Sequence, residues 1–315
     1  MPGEHRRTLG EGNTPLTRSV ADPRLVLKRE DRNPSGSHKD RAAAYQVAAA
    51  AARGDRAVTI SSSGNAAIAT SRYAALHGMP AVVFVHPATD PAKFAAIDGD
   101  TTIVVSTERA INGAKHLARE LRIPNLRPST NDEALVGYAS LGEELAHELP
   151  DHIDTLVIFA TSGATAIAVA DVLARTRPRI QVHVVQGEGN AALVDPQSQT
   201  TDASAHGAAA GRLGVRRSRR GRELRAAMEA TGGSGHVATA EDVAAARALL
   251  ALDEIDVSDE SAANLAVARR LADAGRHPCV VISGSPAAGS GHAPPVIDAA
   301  DEQSALVAVL ELLPA

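Results

Sequence analysis

One cysteine, Cys279, stands in the whole of this 315-residue chain. No internal disulfide can form, and no zinc-type Cys/His spacing exists. Such a protein is expected in a reducing compartment, the cytoplasm. No stretch approaches the ~20 apolar residues that a membrane span needs. The opening MPGEHRRTLGEGNTPL also has no apolar run of the signal-peptide kind. A soluble protein with no membrane partner is therefore expected. There is no basic excess either: 32 Lys and Arg against 37 Asp and Glu leave a net charge of −5, which argues against a general nucleic-acid binder. The seven arginines from Arg212 to Arg225 read as a solvated helix face. A Walker-type loop and GxGxxG are both absent, so neither nucleotide signature applies. Tryptophan is missing altogether, and lysine is scarce.

That scarcity gives one lysine weight. Residues 33 to 41 read NPSGSHKDR, and Lys39 within them is one of four lysines in a chain with 28 arginines. Arginine can supply charge, but with a pKa above about 12 it cannot act as a neutral amine nucleophile. A Schiff base or a proton shuttle needs lysine. Set behind a Gly-Ser turn and opening a helix, Lys39 is a candidate for chemistry. The other reading is a solvated first-turn lysine.

A chain of this length can bury a large core, and one large or two interlocked α/β lobes is the expectation. Short β-branched runs alternate with Ala-rich segments of helical length, the pattern of crossover units around a parallel sheet. The runs 25–28, 57–61, 81–85, 102–105, 155–159, 181–185 and 279–282 predict strands. The segments 38–53, 65–77, 108–121, 133–149, 164–175, 241–250 and 261–274 predict helices. The stretches Pro196 to Gly211 and Ser285 to Pro295 are small, polar and aperiodic and read as loops.

Two strand-to-helix turns place glycine and small hydroxyl residues where a helix begins: Ser61-Ser62-Ser63-Gly64-Asn65-Ala66 and Thr161-Ser162-Gly163-Ala164-Thr165. Backbone N–H groups at a helix N-terminus, aided by the macrodipole, bind carboxylate or phosphate. Ordinary N-capping by Ser or Thr would also account for each turn. Two such turns at the carboxyl ends of strands, together with a candidate nucleophilic lysine, favour a ligand site.

EGNTPL at 11–16, LKRE at 27–30, NPSGSHKDR at 33–41, SSSGNAA at 61–67, TSGAT at 161–165 and VVISGS at 280–285 follow one another in a specific order. In that order they resemble pyridoxal-phosphate enzymes of the tryptophan-synthase-β type (fold type II). The chain is most similar to the branch of threonine synthase and serine/threonine dehydratase, with cysteine synthase a close relative. The resemblance implies two lobes of parallel sheet with helices on both faces and pyridoxal 5′-phosphate in the cleft between them. It implies a large cofactor-binding domain of residues 1–40 and 131–315 and a small domain of 41–130. A small amino-acid substrate and a homodimer are implied with it.

By resemblance, Lys39 matches the lysine that joins the cofactor aldehyde and later moves the substrate's α-proton. Asn65 matches the residue that hydrogen-bonds the pyridine 3′-oxygen. Ser62, Ser63, Gly64, Asn65 and Ala66 match the loop that grips the substrate α-carboxylate. Thr161, Ser162, Gly163, Ala164 and Thr165 match the loop around the cofactor phosphate. Ser283 matches the hydroxyl residue facing the pyridine nitrogen, a choice that goes with elimination and replacement at the side chain rather than transamination. His38 departs from the phenylalanine usual in threonine synthases and resembles the His-Lys pair of the tryptophan synthase β-subunit, where the histidine lies near the phosphate. Ala66 and Val136 are further departures. Val257 to Ala262 is similar to the family's VEPSSA stretch, with either Ser258 or Glu260 in the glutamate's place. The implied activity is elimination or replacement at the side chain of a small L-amino acid, threonine synthase-like. A dehydratase and a cysteine synthase-like β-replacement enzyme are alternatives. A non-catalytic cofactor-binding homologue is the alternative of another class.

Overall fold

The computed structural model describes residues 7–89, 96–97, 101–188, 191–194, 219–285 and 294–313. The loop expected at 196–211, and nearly all of that expected at 285–295, lies outside them, as does the first half of the Arg212 to Arg225 run. The chain divides into two compact units: Met1–Glu11, Lys39–Gly137 and Ala287–Ala315 form the first, and Gly12–His38 with Tyr138–Pro286 the second.

The first unit holds a four-stranded parallel sheet in the order β10-β5-β4-β3: Val296–Asp298 (β10), Thr102–Ser106 (β5), Ala81–Val85 (β4) and Val58–Ser61 (β3). β4 and β5 are buried along their whole length, which is why they read as continuous apolar runs rather than alternating ones. Helices Lys39–Arg53 (α1) and Asn65–Leu76 (α2) pack beside them. Eight of the fifteen α1 residues are alanine, the best helix former. Alanine also keeps the helix surface thin, so α1, α2, Val58, Leu126 and Tyr73 close into one apolar cluster. Ala110–Leu121 (α3) and Glu302–Leu312 (α9) cover Phe84, Ile103 and Val105. Residues 1–11 and 287–315, expected with the larger domain, belong to this unit. Val296 pairs with Val104 in β10, and the Tyr73 hydroxyl donates to Glu11 at 2.8 Å.

The second unit holds six strands in the order β1-β2-β9-β6-β7-β8: Leu16–Arg18, Val26–Lys28, Pro278–Val281, Thr155–Phe159, Gln181–Gly187 and Gly235–Ala238. All neighbours are parallel except β1 with β2. Its helices are Ala164–Thr176 (α5), Gly221–Thr231 (α6), Ala240–Leu252 (α7) and Asp259–Asp273 (α8). Glu133–Glu148 (α4) runs across the division at Gly137. α7 is closed by a capping box between Thr239 and Asp242. In the described half of the arginine run, Arg220 is buried and pairs with Glu223 at 3.0 Å, while Arg219, Arg222 and Arg225 are exposed. No helix among the described residues is long and apolar enough to cross a membrane. Cys279 is fully buried, and burial pushes its thiol up to about 12. It is therefore inert at neutral pH.

The edge of this sheet carries a histidine pair. His183 Nδ1 lies 2.8 Å from His236 Nε2, and the Ser234 hydroxyl lies 3.1 Å from each. Burial, with the His236 and Arg276 charges acting in the same direction, pushes His183 down to about 4, and burial also lowers His236. Both are then neutral in the fold, while the unfolded chain takes up protons below its ordinary histidine pKa of about 6.5. The unfolded state thus binds more protons between these values, and stability falls as pH falls from about 6.5 towards 4. Urea midpoints should drop more steeply across this window for the wild type than for His183→Gln; identical slopes would refute the assignment.

Candidate active site

The motifs before Lys39 are tied together by buried hydrogen bonds within the second unit. Glu30 and Lys28 are both fully buried. The Thr14 hydroxyl donates to Glu30 Oε1 at 2.5 Å, and Asn33 Nδ2 donates to Glu30 Oε2 and to its carbonyl, each at 2.9 Å. Gly12 N–H donates to Asn33 Oδ1 at 2.9 Å. Lys28 Nζ donates to the Thr14 carbonyl at 2.9 Å and pairs with Glu144 at 3.0 Å and Glu148 at 2.6 Å. EGNTPL, LKRE and the start of NPSGSHKDR are therefore one polar network. A buried carboxylate or ammonium is tolerated only when satisfied in this way, and through Asn33 the network anchors the start of the 33–38 loop.

That loop is then stitched to the end of β9. His38 N–H and His38 Nδ1 both reach the Ser283 carbonyl, at 3.1 and 2.9 Å. A carbonyl only accepts, so Nδ1 is the donor. Ser37 bridges Gly284, and Ser285 N–H donates to the Gly36 carbonyl at 3.0 Å. Gly36 has φ +81°, a backbone conformation that favours glycine, and a Cβ there would press on Ser285 Oγ at 3.0 Å. Ser258 N–H donates to the Gly284 carbonyl at 3.1 Å, which sets the 257–262 segment against the same strand end. Two of the expected site residues, His38 and Ser283, are thus in direct contact. Lys39 follows His38 as the first residue of α1, where the first unit resumes.

Thr161 to Thr165 leave the carboxyl end of β6. β6 neighbours β9, and β9 neighbours β2, so the 29–38 loop, Ser283 and this turn all emerge from adjacent parallel strands at one end of the sheet. From β6 the chain winds out to β7 and β8 and returns to β9 on the other side. This reversal is where open α/β sheets form their ligand crevice. Gly163 is left-handed, with φ +88°, and a Cβ would meet Leu224 Cδ2 at 3.2 Å. No side chain caps α5 at Gly163, and only a long 3.4 Å bond joins Ala164 N–H to Ser162 Oγ. The first-turn N–H groups of α5 have no intrahelical acceptor. With three hydroxyls and no acidic residue among Thr161 to Thr165, the donor set fits a phosphate.

In the first unit, Ser62 to Ala66 leave the carboxyl end of β3 and are half-buried, and α2 starts at Asn65 without a side-chain cap. Simple N-capping therefore describes neither turn. Gly64 has an extended backbone and open space around its Cβ position, so neither strain nor crowding among the described residues calls for glycine there. The Thr14–Glu30–Asn33 network was not visible in the sequence as a site-building feature. Glu30 stands in the charged run Lys28 to Arg32, where nothing local sets it apart from its neighbours.

The family model described as pyridoxal-phosphate dependent enzyme matches residues 7–284. Cysteine synthase B of Pseudomonas aeruginosa is 30% identical over 199 residues, 57% of this chain and 66% of that protein. Threonine synthase of Methanosarcina acetivorans is 28% identical over 293 residues, 85% of this chain and 72% of that protein. The match thus spans just under two thirds of the first of these relatives. Among solved structures, O-ureido-L-serine synthase superposes with a TM-score of 0.73 at 21% identity, covering 87% of this chain and 89% of that one. A pyridoxal 5′-phosphate-dependent aspartate racemase superposes with 0.74 at 18%, covering 86% and 90%. Both show a shared fold.

Proposed function

The chain belongs to the pyridoxal-phosphate-dependent enzyme family, and we propose that within it this protein carries out elimination or replacement at the side chain of a small L-amino acid, in the manner of a threonine synthase. The cofactor, when bound, supplies the electron sink that makes the substrate's α-proton removable. Thr161 to Thr165 hold its phosphate through the first-turn N–H groups of α5, with the Thr161, Ser162 and Thr165 hydroxyls as further donors. Ser283 sets a neutral hydroxyl against the pyridine nitrogen, and Asn65 donates to the ring oxygen. Lys39 carries the cofactor and moves the α-proton. The turn from Ser62 to Ala66 binds the α-carboxylate. His38, fixed by the Ser283 carbonyl, would lie near the cofactor phosphate.

The observation that carries this reading is the convergence of the Thr161 to Thr165 turn, Ser283 and the 29–38 loop at adjacent strand ends, around a hydroxyl rather than a carboxylate at position 283. A hydroxyl cannot stabilise a protonated ring as a carboxylate would, which favours chemistry at the side chain over transamination. Ser283→Ala should leave cofactor occupancy unchanged and lower turnover about fivefold, the worth of one neutral hydrogen bond of about 1 kcal/mol. Loss of the cofactor in Ser283→Ala would show that the residue does something other than face the ring. A homodimer in the cytoplasm belongs to the same reading, and light scattering on the purified protein checks the dimer.

The deciding experiment supplies the holoenzyme with L-serine, L-threonine, O-acetyl-L-serine, O-phospho-L-serine and O-phospho-L-homoserine, with and without sulfide or amine nucleophiles. Cofactor absorbance and products are followed together. Release of ammonia and a 2-oxo acid identifies a dehydratase, and a new amino acid identifies a synthase. Inversion of the α-carbon alone would overturn the proposal in favour of a racemase.

A further inference from the structure

Arg127 is a half-buried guanidinium without a counter-charge among the described residues. Arg24, Arg53, Arg220 and Arg270 all pair with carboxylates, whereas the Arg127 side chain makes no ion pair or hydrogen bond among the described residues. Its nitrogens are not sealed from solvent. Burial alone pulls the guanidinium below the ordinary arginine range, with no carboxylate to oppose it. Its backbone, in contrast, is pinned. Arg127 N–H donates to Asn125 Oδ1 at 3.1 Å, and its carbonyl accepts from Thr130 N–H and Asn131 N–H, each at 3.0 Å. A rigid base therefore presents an uncommitted cation, a costly arrangement for stability alone.

Its place in the first unit is as specific. The segment after α3 runs along the open edge of β3. Thr59 N–H donates to the Pro124 carbonyl at 3.0 Å, and Leu126 N–H donates to the Thr59 carbonyl at 2.8 Å, so that Asn125 pairs with Thr59 in parallel register. Continued by two residues, that register sets Arg127 opposite Ser61, the last residue of β3, from which the Ser62 to Ala66 turn departs. Leu126 is buried in the apolar cluster with Val58 and Tyr73, and alternation along the extended segment turns Arg127 away from it.

We infer that Arg127 receives an anionic group on the substrate's side chain, so that the amino acid taken carries a second acid function, a phosphate ester or a carboxylate, beyond its α-carboxylate. The inference rests on the reading of Ser62 to Ala66 as the α-carboxylate turn. Because that turn's N–H groups already serve one anion, the adjacent cation is left for another. Arginine suits the task because its planar fork can grip phosphate or carboxylate oxygens in pairs.

The test is a titration of the holoenzyme, read by cofactor absorbance, with O-phospho-L-serine, O-phospho-L-homoserine, L-aspartate, O-acetyl-L-serine and L-serine. One or more of the acidic amino acids should bind more tightly than O-acetyl-L-serine, and whether a phosphate or a carboxylate is preferred names the group. Arg127→Gln should weaken that ligand about 10- to 100-fold, the worth of one or two charge-assisted hydrogen bonds, and leave O-acetyl-L-serine unchanged. Arg127→Lys should recover part of the loss. The Arg127→Gln melting temperature should equal or exceed the wild-type value, since an uncompensated charge has been removed. Equal weakening of acidic and neutral ligands, no preference for any acidic ligand, or a lowered melting temperature overturns the inference while leaving the α-carboxylate reading intact. If no amino acid alters the absorbance at all, both fall.

Discussion

Borohydride reduction of the holoenzyme, followed by peptide mass mapping, should place the pyridoxyl mass on Lys39, and Lys39→Ala should lose that label together with roughly 10²- to 10⁴-fold in turnover, the range for removing a positioned proton-transfer group. The reason is chemical and geometric together. Only an amine can join the cofactor aldehyde and later act as a base. Lys28 is fully buried and held between Glu144 and Glu148, so its amine is committed. Lys115 is exposed on α3, and Lys93 lies outside the described residues. Lys39 stands at the end of a loop fixed by Glu30, Asn33 and Ser283, as the first residue of α1. A pyridoxyl mass on Lys28, Lys93 or Lys115 would remove Lys39 from the mechanism.

The second large effect is at Gly163. Gly163→Asp should abolish cofactor retention, because three costs coincide. A non-glycine residue at φ +88° is strained by about 1 to 2 kcal/mol. Its Cβ must displace Leu224, at 3.2 Å. The new carboxylate would also face the cofactor phosphate across the N–H groups meant to hold it. Thr165→Ala should cost only about 1 to 2 kcal/mol of cofactor binding, one hydrogen bond to a charged group. Cofactor absorbance after dialysis measures occupancy, and far-UV circular dichroism shows whether the fold survives. Full occupancy in Gly163→Asp would mean that the phosphate is held elsewhere.

Much of the second unit's framework was legible along the chain. Thr155–Phe159 was expected as a strand and is one to the residue, and Ala164 was expected to open a helix and does. These are long, fully buried or strongly helical segments, in which the local pattern and the tertiary outcome agree. The short edge strands Leu16–Arg18, Gly235–Ala238 and Val296–Asp298 went unseen. So did the helices Gly221–Thr231 and Glu302–Leu312. Three or four residues carry too little periodicity to announce a strand, and each of these becomes one only by pairing with residues far away along the chain. Asp298 against Ser106 is an example.

The same divide runs through the site. The kinds of residue that the chemistry needs were visible in one dimension: a rare lysine behind a Gly-Ser turn, two glycine-hydroxyl turns after apolar runs, and a serine at the end of the last of these runs. These are local signals, because backbone conformation and helix starts depend on neighbours a few residues apart. Only the fold decided that the His38 ring shares a carbonyl with its own backbone N–H at Ser283, that Lys28 is locked away by Glu144 and Glu148, and that Arg127 comes level with Ser61 without a partner among the described residues. Each of these joins residues separated by dozens to hundreds of positions. Which side chains meet across such distances is set by strand order and register, through burial and hydrogen bonding that no short window of sequence contains.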